Sequence, residues 1–455
     1  MSEPADIVVI GAGAAGIFAA WRASQLGARV VLVEKTNRIG TKILISGGGK
    51  CNVAHAGPLE SVLSAFRSEE ARFIRPACYK MTNARIVELM EEGGLRVYTR
   101  PDGRVFPVDQ TAKDVVTILE SYLDSVRVEV RLESPVQEIL AENGRAVGIR
   151  VGQSPQAHRT NANRSESRFG AKALLAEVLA ETVSQAERIA GYELRAKCVV
   201  IACGGSSYPK SGTTGDGWVW ARRLGHTIVK PRAALAPIYL CDPVPEMAGV
   251  AVRDCTLRAR LGRKEVAKAS GDLLFTHQGV SGPNVLAASR AVAEALESGS
   301  VELEIDLLPA VSNDRLAATY LEWLSGNSKK SVRSSLEAWA PNRICDELCA
   351  RAGVPSDLAC AKLERKTRNR LLELLKFWPI GKVRSVPIEW GEVVAGGISR
   401  DEVDPKSMKS KIVEGMFVCG EALDVAGPVG GYNLQAAFAT GYLAGEAAAS
   451  EAMEQ

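Results

Sequence analysis

Near the start of the chain, Ser46-Gly-Gly-Gly-Lys-Cys-Asn52 places three residues without side chains directly before an amine, a thiol and an amide. Such glycines invite a phosphate-cradling loop. That loop requires a glycine six positions before the lysine and a hydroxyl residue after it; Leu44 and Cys51 stand there instead, so the reading fails. A stronger phosphate signal precedes it. Gly11-Ala-Gly-Ala-Ala-Gly16 follows the apolar run Asp6-Ile-Val-Val-Ile10 and opens a helical stretch, Ile17 to Leu26, before a second strand, Arg29-Val-Val-Leu-Val33, ends on Glu34. Strand, glycine turn, helix and an acidic residue after the second strand make up a dinucleotide-binding fingerprint. Gly11 permits the tight turn, Gly13 lets a pyrophosphate reach the backbone, and Gly16 allows the helix to pack closely on the sheet. The helix N-terminus offers free N–H groups to phosphate, and Glu34 would accept hydrogen bonds from ribose hydroxyls.

NAD and FAD share that fingerprint, and two distant stretches choose between them. Cys198-Val-Val-Ile-Ala-Cys-Gly-Gly205 resembles the strand that rejoins the sheet in two-dinucleotide-binding flavoproteins, with Cys203 where threonine is usual. Gly415-Met-Phe-Val-Cys-Gly-Glu421, followed by Gly430-Gly-Tyr-Asn-Leu-Gln435 and an alanine-rich helix, resembles their last strand, which places Glu421 on the ribityl or ribose side of the cofactor. A helix opening near Gly431 would face the anionic edge of a reduced flavin with a partial positive charge. FAD is therefore the expected tightly bound cofactor; the absence of a second complete GxGxxG points to an oxidase or to NAD(P)H docking only transiently as electron donor.

Taken together, Gly11 to Gly16, Gly40 to Asn52, Gly204 to Gly217, Phe275-Thr-His-Gln-Gly-Val-Ser-Gly-Pro283, Ala395-Gly-Gly-Ile398 and Gly420 to Gln435 resemble the bacterial aminoacetone oxidase family of FAD-binding enzymes, which includes 3-dehydro-bile-acid reductases. The resemblance implies an α/β, Rossmann-like FAD/NAD(P)-binding domain of the two-dinucleotide-binding type, split by an inserted β-barrel plus helical domain. On this sequence the expected pieces are 1–224 with 386–455 for FAD, 225–312 for the barrel and 313–385 for the helices. Residues 126–150 read as a small β-meander, and 153–188, rich in serine and asparagine, as an extra insertion. The cofactor set it implies comprises Gly11, Gly13, Ala14, Ala15, Gly16, Glu34, Lys35, Lys42, Ser46, Gly47, Gly48, Gly49, Cys51, Asn52, Val136, Ala202, Cys203, Gly204, Gly420, Glu421, Gly430, Gly431, Asn433, Leu434 and Gln435.

The segment Ser46 to Asn52 would then lie beside the flavin ring, where missing side chains let backbone approach a flat surface. The catalytic candidates are His277, the one histidine inside a motif, with Cys51 and Asn52; Tyr208, Asp216 and Tyr432 are further proton-handling groups. Cys51 has no second cysteine four or five residues away, which argues against a redox dithiol. Ten scattered cysteines without a CxxC pair read as reduced thiols, and four histidines without ligand spacing predict no metal.

The chain has 455 residues, 46% of them hydrophobic, and 56 basic against 53 acidic side chains for a net charge of +3. That balance gives no reason to expect nucleic acid or an anionic membrane as partner. No apolar run reaches the ~18 residues of a membrane span, and no signal peptide pattern opens the chain, so a cytoplasmic protein is expected; monomer and homodimer stay open. The function that follows is an FAD-dependent oxidoreductase of a small organic substrate. It would oxidise an amine with oxygen as acceptor, or reduce an enone or ketone with NAD(P)H. A flavin-bound RNA-modification or regulatory protein is the alternative, with a basic strip (Lys329, Lys330, Arg333, Lys362, Arg365, Lys366, Arg368, Arg370) in its favour.

Overall fold

The valine- and isoleucine-rich runs near the N-terminus become Ala5–Ile10 (β1) and Val30–Val33 (β2), joined by the helix Ala14–Gln25 (α1). Almost every residue of the two strands is buried, as in parallel sheets covered on both faces. The computed structural model describes residues 5–152, 191–355 and 357–455. These form two compact units, Met1–Pro231 with Val393–Gln455, and Arg232–Glu392.

The first unit is built on a seven-stranded sheet. Its centre is parallel: β2 pairs with β1, β1 with Tyr192–Ile201 (β3), and β3 with Met416–Val418 (β4). Strand β3 changes character along its length. Up to Lys197 buried residues alternate with exposed ones and the strand pairs antiparallel with Arg145–Val151; from Cys198 onward it is wholly buried between β1 and β4. The expected meander over 126–150 is only partly one. Val136–Glu142 and Arg145–Val151 form a hairpin, but Glu129–Arg131 instead lies parallel to β2 at the sheet's edge.

The last helix, Tyr432–Glu454 (α2), covers the sheet together with α1. A Cβ added at Gly441 would lie 2.1 Å from the Ala15 carbonyl oxygen, and one at Gly445 would lie 2.2 Å from that of Ala19. The two glycines, four residues apart, thus let α2 seat its backbone against α1, with Phe18 and Phe438 packed at 4.5 Å beside the contact.

A buried histidine ties the late loops to this unit. His226 Nε2 is 2.8 Å from Ser410 Oγ, whose oxygen accepts the N–H groups of Ile412 and Val413. Glu402 Oε2 lies 3.2 Å from Nδ1, without hydrogen-bond alignment. Burial lowers the His226 pKa below its ordinary 6.5, and Glu402 opposes the shift without reversing it. A folded state that resists protonation is stable above the unfolded pKa and weakens as pH falls through it. Chemical denaturation should therefore show stability dropping below about pH 6.5, with His226→Gln flattening that part of the profile; an unchanged profile would discount the histidine.

The second unit contains a closed barrel in the order Ile238–Leu240, Gly279–Ser281, Lys264–Thr276, Ala251–Leu261, Val301–Asp306 and Trp378–Ser385. Its helices, among them Asn313–Gly326, Asn342–Ala352 and Arg365–Lys376, share one apolar core with the barrel: Leu316, Ile344, Leu348 and Leu371 join Ile238, Leu257 and Leu303. The stretch read as helical through 385 needs correction at its end. Trp378, Ile380 and Val383 are buried along a strand that closes the barrel, so the helices are inserted between its fifth and sixth strands in sequence.

Candidate active site

Four loops leave the carboxyl ends of β2, β1, β3 and β4, which are neighbours in that order. Hydrogen bonds hold them in line: Gly11 N–H donates to Val33 O, Ala202 N–H to Ile10 O and Cys419 N–H to Ile201 O. The crevice outside these strand ends is where open α/β sheets bind ligands. Gly11 adopts a φ of +99°, and a Cβ there would meet Cys203 Cα at 2.6 Å. At Gly16 a Cβ would fall 1.8 Å from the Gly11 carbonyl oxygen, so helix and turn touch through missing side chains. Gly13 differs. It starts α1 with no side-chain cap, and a Cβ there would meet nothing within 4 Å, which leaves the helix N-terminus open to a phosphate. Ala14 and Ala15 follow in the first turn of α1.

Glu34 is held beside this turn, Oε2 accepting the Ala12 N–H at 2.9 Å and Oε1 the Thr36 N–H at 2.8 Å. Its neighbour Lys35 turns to Asp216 at 2.7 Å, at the start of the helix Asp216–Arg223. Both residues are thereby engaged in shaping the loop. Val136 is half-buried at the start of its hairpin. Cys203 and Gly204 lie in the loop after β3, with burial pushing the Cys203 thiol pKa up.

Lys42 and Glu421, each expected to face the cofactor, meet one another at 2.5 Å. Lys42 also donates to Ser207 Oγ at 2.7 Å, and Glu421 Oε1 accepts the Val394 N–H at 2.9 Å. The pair clamps the loops after β3 and β4 to the helix Thr41–Ile45. Gly420 packs against Ala15, where a Cβ would lie 2.7 Å from the alanine methyl.

The glycine run folds as a left-handed turn: Gly47, Gly48, Gly49 and Cys51 have φ of 56°, 68°, 86° and 60°. Cys51 N–H closes it onto Ser46 O at 3.0 Å, and Ser46 Oγ donates to Ile43 O. A Cβ at Gly47 would lie 2.9 Å from Asn52 N, while Gly48 faces open space. The catalytic expectation for Cys51 is corrected here. Its side chain is 0% exposed, and burial raises its pKa to about 11, so it is a neutral, enclosed thiol with no face toward a ligand.

Asn52 is different, because its buried Oδ1 has no hydrogen-bond partner among the described residues. Gln435, in the first turn of α2 and 1% exposed, has none at either Oε1 or Nε2. Buried amides left unpaired are costly. These two sit in the two motifs expected to meet the flavin ring, whose polar edge carries both donor and acceptor groups, so the residues fit FAD. Replacing Gln435 by leucine should leave the cofactor-free protein as stable or more so, yet weaken FAD binding about tenfold or more. Titration of the apoprotein with FAD checks this; undiminished affinity would show that the amide meets no cofactor.

Around the start of α2, Asn433 accepts the Gly427 N–H and donates to the Gly427 and Pro428 carbonyls, pinning the preceding loop, while Leu434 follows in the first turn. Gly430 and Gly431 both have positive φ, and a Cβ at Gly431 would sit 2.5 Å from the Ala54 carbonyl carbon. His55 stacks on Tyr432 at 4.4 Å and holds Nδ1 3.1 Å from the Gly430 oxygen. His55 was not among the expected site residues; its only sequence signal is its position three residues after Asn52. His277 occupies the exposed two-residue turn between Lys264–Thr276 and Gly279–Ser281 in the second unit. The candidate insertion 153–188 lies outside the described residues. Among the described residues no group of His, Cys, Asp or Glu is arranged to hold a metal.

A Rossmann-like sheet with an open helix N-terminus, an acid at the end of β2 and unpaired buried amides is the framework of an FAD-dependent oxidoreductase. The chain belongs to the family described as HI0933-like protein Rossmann domain, whose model matches residues 5–183 and 161–447. It is 28% identical over 445 residues to a ribosomal RNA dihydrouridine synthase of Haemophilus influenzae, covering 97% of this chain and 98% of that one. It is also 28% identical over 447 residues to a 3-dehydro-bile acid delta(4,6)-reductase of Clostridium scindens, again covering 97% and 98%. Among solved structures, a quinol-fumarate reductase with menaquinol shares the fold at TM-score 0.50 and 18% identity, over 99% of this chain and 71% of that one.

Proposed function

We propose that this protein is a cytoplasmic, FAD-dependent reductase of a carbon–carbon double bond conjugated with a carbonyl, working on a small organic substrate with NAD(P)H as electron donor. The end-to-end likeness to two differently named reductases carries the reading. Forming dihydrouridine saturates a double bond conjugated with a carbonyl, and so does reducing a 3-keto bile acid at its 4,6 double bonds. The shared chemistry favours reduction over amine oxidation. Ten free cysteines fit a reducing compartment. Among the described residues no helix is long and apolar enough to cross a membrane.

When bound, the flavin would supply the hydride chemistry. The chain's part is to hold it, through the Gly11 to Gly16 turn, Glu34, Asn52 and Gln435, and to deliver a proton to the carbon next to the carbonyl. Tyr432 is suited to that. Its phenol is protonated at neutral pH, burial raises its pKa further, and the His55 ring stacked against it fixes its orientation. Tyr432→Phe should lower turnover about 100-fold with FAD content unchanged; full turnover would exclude the phenol as the acid.

The decisive experiment reduces the flavin without oxygen and then adds a conjugated enone. Prompt return of the yellow oxidised spectrum with formation of the saturated product supports the reading. No reoxidation by any enone, together with bleaching of oxidised flavin by an amine, would overturn it. A uridine in RNA is the second reading, favoured by the Haemophilus influenzae relative's name. The basic strip of the helical region supports it little, because Arg333 is paired with Asp346 and Glu337, and Arg370 with Glu373.

A further inference from the structure

A cleft of about 580 Å³ opens on the first unit against the glycine turn, lined by Arg38, Thr41, Leu44, Ile45, Gly49, Thr111, Lys113, Tyr208, Lys210 and Ser211. Three of these are cations and none is acidic. Among the described residues no ion pair engages Arg38 or Lys210, and Lys113 has only the adjacent Asp114 as an electrostatic partner. They come from three separate segments: Arg38 precedes the helix Thr41–Ile45, Lys113 is in the first turn of Ala112–Ser125, and Lys210 is in the short turn Pro209–Ser211. Three positive charges from separate parts of the sequence lining one cleft, with no acidic residue among its lining, favour an anion there.

The cleft has the other features a nucleotide requires. Thr41 and Ser211 add hydroxyls, and Ile45, 48% exposed, forms an apolar wall with Leu44. The Tyr208 segment is rigid. Tyr208 holds a left-handed φ of 49°, and its carbonyl accepts both the N–H and the hydroxyl of Ser211, which fixes the turn that carries Lys210. Of the expected cofactor contacts only Gly49 lines it, and Gly11, Gly13, Glu34, Asn52 and Gln435 do not.

We propose that this cleft binds the phosphate of a nucleotide other than the flavin, with Arg38, Lys113 and Lys210 on the phosphate and Leu44 and Ile45 against the base. The phosphate has two possible sources: the 2′-phosphate of a nicotinamide reductant, or the backbone of an RNA substrate. The cleft's charge and shape hold whichever substrate the enzyme reduces, so binding can be tested without turnover.

The experiment uses the flavin-loaded protein and two probes, 2′,5′-ADP and a short oligouridylate, with affinities measured by calorimetry and by fluorescence anisotropy at low salt. Arg38→Gln, Lys113→Gln and Lys210→Gln should each weaken the responding probe about tenfold, and the triple variant more, with FAD content and melting temperature unchanged. Lys406→Gln, an exposed lysine of the first unit that does not line the cleft, should change nothing. Loss of 2′,5′-ADP binding alone assigns the cleft to the reductant, and loss of oligouridylate binding alone assigns it to the substrate. If the wild-type protein binds neither probe, or the triple variant binds both as well as wild type, the proposal is wrong.

Discussion

Gly441→Leu should abolish accumulation of soluble, FAD-loaded protein. Even the first carbon of a side chain at Gly441 would lie 2.1 Å from the Ala15 carbonyl oxygen, and the neighbouring contacts are backbone, which cannot swing aside. Helix α2 would have to lift from α1. That draws Thr440 away from Gly420, whose N–H it accepts, and removes the support of the first turn of α2, where Gln435 sits. The expected result is recovery mainly in the insoluble fraction, and any soluble remainder should lack flavin absorbance. Met453→Leu, near the end of the same helix at an exposed position, should behave as wild type. Normal flavin content in Gly441→Leu would mean that the two helices can separate without consequence.

Asp306→Asn should destabilise the second unit by about 3–5 kcal/mol, because it strands a buried cation. Lys376 Nζ lies 2.9 Å from Asp306 Oδ1, and their side chains are only 9% and 4% exposed. The ammonium also donates to the Leu308 and Val311 carbonyls, and the carboxylate accepts the Leu308 N–H, so helix Arg365–Lys376 is tied to the end of barrel strand Val301–Asp306. Removing the negative charge leaves the carbonyls as the amine's chief partners. Denaturant titration followed by tryptophan fluorescence reads the loss. Replacing both residues, Asp306→Leu with Lys376→Met, should recover most of it, since apolar groups of similar volume serve such sites at least as well as an ion pair. A single variant of wild-type stability would show that the pair is solvated in solution.

What could be read in advance was whatever the backbone dictates locally. The turn at Gly11 to Gly16 and the acidic end of β2 are visible because tight turns and close helix packing exclude side chains whatever lies elsewhere in the chain. The same logic finds the glycines at 47–49 but says nothing of Cys51, whose burial depends on packing from outside its own segment. Partners far apart in sequence were illegible for a similar reason. Lys42 and Glu421 both read as cofactor ligands, and only the folded sheet shows that they neutralise each other. Likewise His277 lies in a glycine-flanked motif and draws the eye, while His55, in an unremarked stretch, is the histidine stacked on the start of α2. The strand at Trp378–Ser385 reads in sequence as the tail of a helical region because its closure of the barrel depends on a partner, Ile238–Leu240, found much earlier in the chain.

The way the first unit is divided also governs how the protein can be made. Strand β4 and helix α2 leave the ribosome after the other described elements, yet β3 needs β4 at its flank and α1 needs α2 against it. Residues Arg232–Glu392, an uninterrupted segment with its own core, are complete before that point. A nascent chain can therefore fold this middle segment first, while the N-terminal glycine turn waits for its final supports. Flavin capture must wait for the emergence of α2, and a chain truncated before Tyr432 would leave α1 as exposed apolar surface for chaperones and proteases.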